Sequence, residues 1–178
     1  VVGATDREGT YAHTTLLNLA RAGFAGQVVG VHPTRSVAAG VPCVPTLADV
    51  DRVDAVVIAT PADTVPGYVA DAAALGCGGA VVYAAGFAEA GRADLQDDLK
   101  SAAQGMPVIG PNGNGLVSVT ARAPLWGDAV TVPDSAGGVA LISDSGNVGV
   151  VGMAHRSGEG LHTVVSAGNA AVIDTPTL

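Results

Sequence analysis

The sequence predicts an α/β fold built on a doubly wound parallel sheet, and two observations carry that expectation. Short β-branched runs recur at Val1-Val2, Gln27 to Val31, Ala55 to Ala59, Gly79 to Tyr83 and Val108-Ile109. Each is near-continuously apolar rather than alternating, as strands buried on both faces are. Between them lie segments of helical period, clearest at Val65, Tyr68, Val69 and Ala72, with Pro66 suited to a first helical turn. Repetition of strand, helix and strand produces a parallel sheet with helices on both faces.

Composition narrows the functional classes. The 178 residues are 48% hydrophobic and 13% charged, well inside the globular regime, and 25 glycines without a three-residue period point to turns rather than collagen. Aromatics make up 3%, so the core must be built from Val, Ala, Leu and Ile. A net charge of −8 leaves no basic footprint for nucleic acid or an anionic membrane. Any anionic ligand must then be held by local dipoles and one or two cations. Cys43 and Cys77 are too few for a disulfide framework and match no metal-ligand spacing, so they read as buried thiols of a reducing cytoplasm. No apolar run approaches the roughly 20 residues of a membrane span, and no secretory leader pattern opens the sequence. Val1-Val2-Gly3 reads as the end of a first strand and Thr177-Leu178 as the interior of another unit, so a piece of a longer polypeptide is expected.

The pattern changes after Gly110-Pro111-Asn112. Residues 120 to 136, with Pro124, Trp126, Gly127, Pro133 and Asp134, read as a connector over the surface. A second unit follows: a strand from Val139 to Ile142, the polar loop Ser143-Asp144-Ser145-Gly146-Asn147, a helix from about 147 to 156, and a strand from Leu161 to Val165.

Four segments carry candidate chemistry. The stretch "VVGATDREGT" stands where a doubly wound sheet offers backbone N–H groups and a helix dipole to an anion, although the dinucleotide fingerprint G-x-G-x-x-G is absent. After the second strand, Val31-His32-Pro33-Thr34-Arg35 supplies a cation where an NAD site would place an acid. Arg35 therefore suits a phosphorylated ribose, which NADP and coenzyme A both carry. Gly110-Pro111-Asn112 lies at the carboxyl end of a strand, where open α/β sheets bind ligands, and Asn112 is a contact candidate beside the plainer reading of an Asx turn. Ser145 is either a nucleophile or part of a phosphate cradle. The nucleophile elbow needs glycine two residues before and after the serine, and Ser143 and Asn147 stand there. His13 and His155 read as capping, surface or core histidines. His32 either stacks on a cofactor or turns the chain, and Glu89 either caps a helix or serves the site.

Together the segments "VVGATDREGT", "VVGVHPTR", "VVIATPADTVP", "AVVYAAGFAEAG", "VIGPNGNGL" and "GGVALISDSGNVG" resemble, in order and spacing, the CoA-binding subunit or domain of succinyl-CoA synthetases and NDP-forming acyl-CoA synthetases, including the ADP-forming acetate–CoA ligases. The resemblance implies a Rossmann-like CoA-binding domain over residues 1–125, a connector over 126–136, and the truncated start of a flavodoxin-like ligase domain over 137–178. It implies that CoA contacts fall on Gly3, Thr5, Asp6, Arg7, Glu8, Pro33, Arg35, Ala84, Ala85, Gly86 and Asn112. It further implies that Ser143, Ser145, Gly146 and Asn147 cap a helix whose N-terminus receives a phosphate borne by a histidine beyond Leu178, since none of His13, His32, His155 or His162 occupies that motif. The implied reaction joins a small carboxylic acid to coenzyme A through an acyl phosphate and a phosphohistidine. ATP, ADP and Mg are handled by an ATP-grasp domain or β subunit, in a dimer or heterotetramer. Two departures stand out: Gly113 follows "GPN" where Cys or Thr is common, and Val150 replaces the tyrosine of succinyl-CoA synthetases. A CoA-binding regulatory module without catalysis and an NADP-dependent oxidoreductase are the alternative functions.

Overall fold

The computed structural model describes residues 1–154 and 160–173. Its central strand is the short segment Val1–Gly3, bonded on both sides. Val2 N donates to Val57 O (2.8 Å) and Ala59 N to Val2 O (3.1 Å); on the other edge Val31 N donates to Val1 O (2.8 Å) and Gly3 N to Val31 O (3.0 Å). Strand β1 (Gly30–Val31) thus lies on one side, followed by the antiparallel hairpin of β2 (Val37–Ala38) and β3 (Val41–Val44), of which β3 runs parallel to β1. On the other side stand β4 (Val56–Ile58), β5 (Ala80–Val82) and β6 (Val108–Ile109), all parallel. In chain order the parallel strands run 3-2-1-4-5-6, the doubly wound order that leaves a ligand crevice where the direction of winding reverses.

Helices α1 (Tyr11–Ala22), α2 (Val65–Ala74) and α3 (Ala93–Ala103) connect these strands. Pro66 sits in the first turn of α2, as its missing N–H permits. The main core gathers Val2, Val56, Ile58, Val65, Val69, Val82, Leu99 and Val108, all at most 1% exposed, around the buried ring of Phe87. Cys77 joins this core, whereas Cys43, expected to be buried as well, is only partly covered because β3 lies near the edge of the sheet. The expected strands are therefore found, with Val108–Ile109 unchanged and those expected at 27–31, 55–59 and 79–83 trimmed to 30–31, 56–58 and 80–82. The β2–β3 hairpin was absent from the sequence expectation; Ala39 and Gly40, both at positive φ, make its turn.

A second, four-stranded sheet has the order β8-β7-β10-β9. Strands β7 (Gly115–Ser118) and β8 (Ala123–Trp126) form an antiparallel hairpin, β10 (Leu161–Ser166) pairs antiparallel with β7, and β9 (Val139–Ser143) runs parallel to β10. Helix α4 (Gly146–Ala154) joins β9 to β10; the expected end of this helix near Arg156, and His155, lie outside the described residues.

Residues 120 to 136 do not form the expected surface connector. Alternation along Ala123–Trp126 turns Pro124 and Trp126 inward, Trp126 is fully buried, and Val132 is 6% exposed. The prolines and Gly127 signalled turns, but a half-buried edge strand tolerates proline. A polar lock holds α1 against this segment. Buried Asn18 donates through Nδ2 to Trp126 O (3.1 Å) and Asp128 O (2.8 Å) and accepts from Val130 N (3.4 Å). Thr15 Oγ1 lies within hydrogen-bond reach of Tyr11 O, Trp126 O and the Tyr83 hydroxyl. Burial pushes the Tyr83 phenol far above its ordinary range, against the opposing effect of its Thr15 bond, so Tyr83 stays protonated and either hydroxyl of the pair can donate.

Replacing Asn18 by Leu keeps the branched shape while removing the donor to Trp126 O and Asp128 O and the acceptor of Val130 N. The expected cost is about 2 kcal/mol in a urea titration of the chain. A variant as stable as the parent would show that this lock does not hold α1 to β8.

Candidate functional site

The carboxyl ends of the parallel strands carry the expected loops side by side. The first loop is tightly self-bonded. Thr5 Oγ1 accepts from Arg7 N (3.2 Å), Thr10 Oγ1 donates to Arg7 O (2.8 Å) and, as N-cap of α1, accepts from His13 N (3.4 Å). The His13 ring closes the loop from the helix side, with Nδ1 at 3.2 Å from Thr5 O. Gly9 and Gly3 take positive φ, and Asp6, Arg7 and Glu8 are exposed at the tip. The first turn of α1 holds no acidic side chain, so the positive end of its dipole is uncompensated.

Arg35 faces this loop but is already paired. Its Nη1 donates to Asp6 Oδ2 at 2.8 Å, and Asp6 Oδ1 accepts from Ala39 N at 2.7 Å. Asp6 therefore ties the first loop to the β2–β3 hairpin, and a phosphate here would share the guanidinium with a carboxylate. Arg7 has no carboxylate within 4.0 Å among the described residues. Pro33 is exposed two residues before Arg35, and His32 turns the chain: its Nδ1 accepts from Thr34 N at 3.3 Å.

On the other side of the crevice, Ala84, Ala85 and Gly86 follow β5. Ala84 O accepts from Asn112 N (2.9 Å), and Gly86 N donates to Glu89 Oε1 (2.5 Å). Glu89 Oε1 also accepts from Phe87 N (3.2 Å), and Oε2 accepts from Asn169 Nδ2. Burial raises the Glu89 carboxyl, but the bonds from Gly86, Phe87, its own amide and Asn169 outweigh that and hold it below the ordinary glutamate range. Asn112 takes a positive φ of 58° and donates through Nδ2 to Asn169 Oδ1 (3.3 Å).

The segment Gly110–Asn114 also binds the second sheet. Asn169 N donates to Pro111 O (2.9 Å), Ala171 N to Gly110 O (3.1 Å), and Asn114 N to Ser166 Oγ (3.1 Å). The approach is close enough to demand glycine. A Cβ at Gly113 would stand 2.6 Å from Ser166 O, and one at Gly168 would stand 2.4 Å from Pro111 O.

The Ser143–Asn147 loop reaches the same edge. Ser145 N donates to Ser143 Oγ (3.1 Å), and Ala167 N to Ser143 O (2.9 Å). Gly146 begins α4 in contact with the Asn114 side chain, whose Nδ2 donates to Asp128 Oδ2 at 2.7 Å. Like α1, α4 has no acid in its first turn. The structure thus brings the Gly3–Thr10 loop, Ala84–Gly86, Asn112 and the Ser143–Asn147 loop to one edge. Sequence reasoning missed Asn169, which links Glu89 to Asn112; the stretch Ser166-Ala167-Gly168-Asn169 carried only a glycine and an amide as a signal.

Among the described residues no three His, Cys, Asp or Glu side chains are grouped to hold a metal ion, and no helix is long and apolar enough to cross a membrane.

Comparison with known proteins agrees with this geometry. A trans-feruloyl-CoA synthase from an unknown prokaryotic organism is 34% identical over 181 residues, covering 96% of this chain and 26% of that protein. An ADP-forming acetate–CoA ligase of Archaeoglobus fulgidus is also 34% identical over 181 residues, covering 98% of this chain and 26% of the relative. The solved dinucleotide forming acetyl-coenzyme A synthetase 1 of Candidatus Korarchaeum cryptofilum, in complex with phosphate and ADP, superposes with a TM-score of 0.88. It is 36% identical, over 98% of this chain and 38% of that one. The chain thus spans about a quarter of the curated relatives it matches. Residues 1–118 match the CoA binding domain model, and with ADP-forming ligases as its homologues the chain belongs to the CoA-binding domain family.

Proposed function

We propose that this chain is the CoA-binding part of an NDP-forming acid–CoA ligase, which joins a carboxylic acid to CoA while a nucleoside triphosphate is cleaved to diphosphate and phosphate. One observation carries the reading. The Gly110–Asn114 turn is hydrogen-bonded to Ala84 on one side and to Ser166 and Asn169 on the other, which sets the CoA-type loops and the Ser143–Asn147 loop on one edge.

The residues suit both groups. For CoA, the capped N-terminus of α1 and Arg7, unpaired among the described residues, favour the pyrophosphate, and Arg35 favours the ribose phosphate at some cost from its Asp6 partner. Gly3, Thr5, Asp6, Arg7, Glu8, Pro33, Arg35, Ala84, Ala85, Gly86 and Asn112 line that path. For the second group, Ser143, Ser145, Gly146 and Asn147 open α4 and present backbone N–H groups to a phosphate carried in on a histidine from outside this sequence. Their contribution is electrostatic positioning rather than proton transfer. ATP, ADP and Mg belong to an ATP-grasp domain or subunit, and the assembly is a dimer or heterotetramer. The domain division expected from the resemblance, 1–125, 126–136 and 137–178, shifts accordingly: β7 and β8 belong by pairing to the second sheet, with β9 and β10.

Calorimetry should show CoA binding to the chain, and Arg35→Ala should weaken it about tenfold. Dephospho-CoA, which lacks the ribose phosphate, should bind parent and variant alike. Tight NADPH binding without CoA binding would reverse the assignment. Given ATP, Mg, an organic acid and CoA, the 178 residues alone should give no turnover, and measurable acyl-CoA would contradict the reading. In the complete ligase, Ser145→Ala should slow formation of the phosphohistidine by about tenfold, read by radiolabel from ATP, since one charge-assisted contact is lost. An unchanged rate would sink the cradle.

A further inference from the structure

We propose that Asn169 is a positioning residue: its side-chain amide clamps the Gly86–Glu89 loop to the Gly110–Asn112 turn, and so fixes the CoA side of the crevice against the second sheet. Three contacts converge on it. Nδ2 donates to Glu89 Oε2, Oδ1 accepts from Asn112 Nδ2 at 3.3 Å, and its backbone N donates to Pro111 O at 2.9 Å. The partners lie 80 and 57 residues away in sequence and belong to two different loops of the first sheet.

The chemistry singles out asparagine. Glu89 Oε1 already accepts from the amides of Gly86 and Phe87, so its carboxylate is ionised and can only accept. The Nδ2 of Asn169 must therefore face Glu89, which leaves Oδ1 to receive Asn112; the flipped amide would set oxygen against carboxylate. Asn169→Asp would bring a second carboxylate to Glu89, and a serine in its place lacks a second arm to reach Asn112. The approach is prepared by the backbone. Gly168, at φ 59°, passes so near Pro111 O that a Cβ would stand 2.4 Å from it, and a turn closed by Ala170 N to Ala167 O (3.1 Å) presents Asn169 to the gap.

Asn169 acts through Glu89, so the decisive readout is the titration of that carboxylate. Its value is depressed in the folded chain, so its bonds stabilise the fold above the ordinary glutamate range. That contribution is lost as pH falls through the folded value. The amide protons of Gly86 and Phe87, which donate to Glu89, report it directly by NMR. Asn169→Ala should raise the midpoint seen at both amides toward the ordinary glutamate value, while Leu99 and other core amides stay unmoved. An unchanged midpoint would overturn the proposal. Should the alanine variant fail to fold, Asn169→Leu, which also has no donor for Glu89, carries the same measurement.

A second arm rests on the function proposed above. CoA affinity should fall roughly three- to tenfold in Asn169→Ala. The loss should not add to that of Glu89→Gln in the double variant, and additive losses would mean that Asn169 acts apart from Glu89. Should the parent chain not bind CoA at all, the proposed function fails, while the amide titration still decides the role of Asn169.

Discussion

Five residues, Gly110 to Asn114, have to satisfy two sheets at once. On one flank Asn112 N bonds to Ala84 at the end of β5. On the other, Pro111 O and Gly110 O receive the amides of Asn169 and Ala171, and Asn114 N reaches Ser166 at the end of β10. Such a segment cannot relax toward one sheet without leaving buried donors or acceptors of the other unmet, each at a cost of about 1–3 kcal/mol. Everything that makes the edge a site depends on it, because it sets how far the Ser143–Asn147 loop stands from the loops after β5 and the central strand.

Electrostatics follow from the same arrangement. A chain with twice as many acids as bases has little cationic side chain to offer an anion. The four ion pairs among the described residues are exposed, the class that contributes little to stability. What remains is backbone. Helices α1, α2 and α4 keep acids out of their first turns, while α3 carries Asp94 there. The polar lock of Thr15 and Asn18 beneath α1 and β8 then matters beyond stability, since it fixes the direction in which the dipole of α1 points.

Much of this was legible in the sequence because the physics is local. Continuous apolar runs announced the parallel strands, Pro66 the start of α2, and the change from apolar to polar at Ser143 the loop before α4. The hairpins were harder. β2 has two residues and β7 and β8 four each, and the prolines of 124 and 133 together with Gly127 read as loop signals although Trp126 is wholly buried. At the site, the loops could be placed from strand ends alone. The pairing of Arg35 with Asp6 and the role of Asn169 could not, because both arise from side chains brought together by the fold across 29 to 80 residues.

Trp126 is the chain's single tryptophan, and its ring lies beneath α4, where a Cβ added to Gly149 would come within 2.6 Å of it. The same residue's carbonyl is held by Asn18 of α1. The molecule therefore carries one tryptophan fluorophore, at the junction of α1 and α4. Its indole N–H is buried with no hydrogen-bond partner among the described residues, so its emission is set by apolar packing. A shift in the seating of α4 would change the colour of that light, with no label introduced and no second tryptophan to blur it.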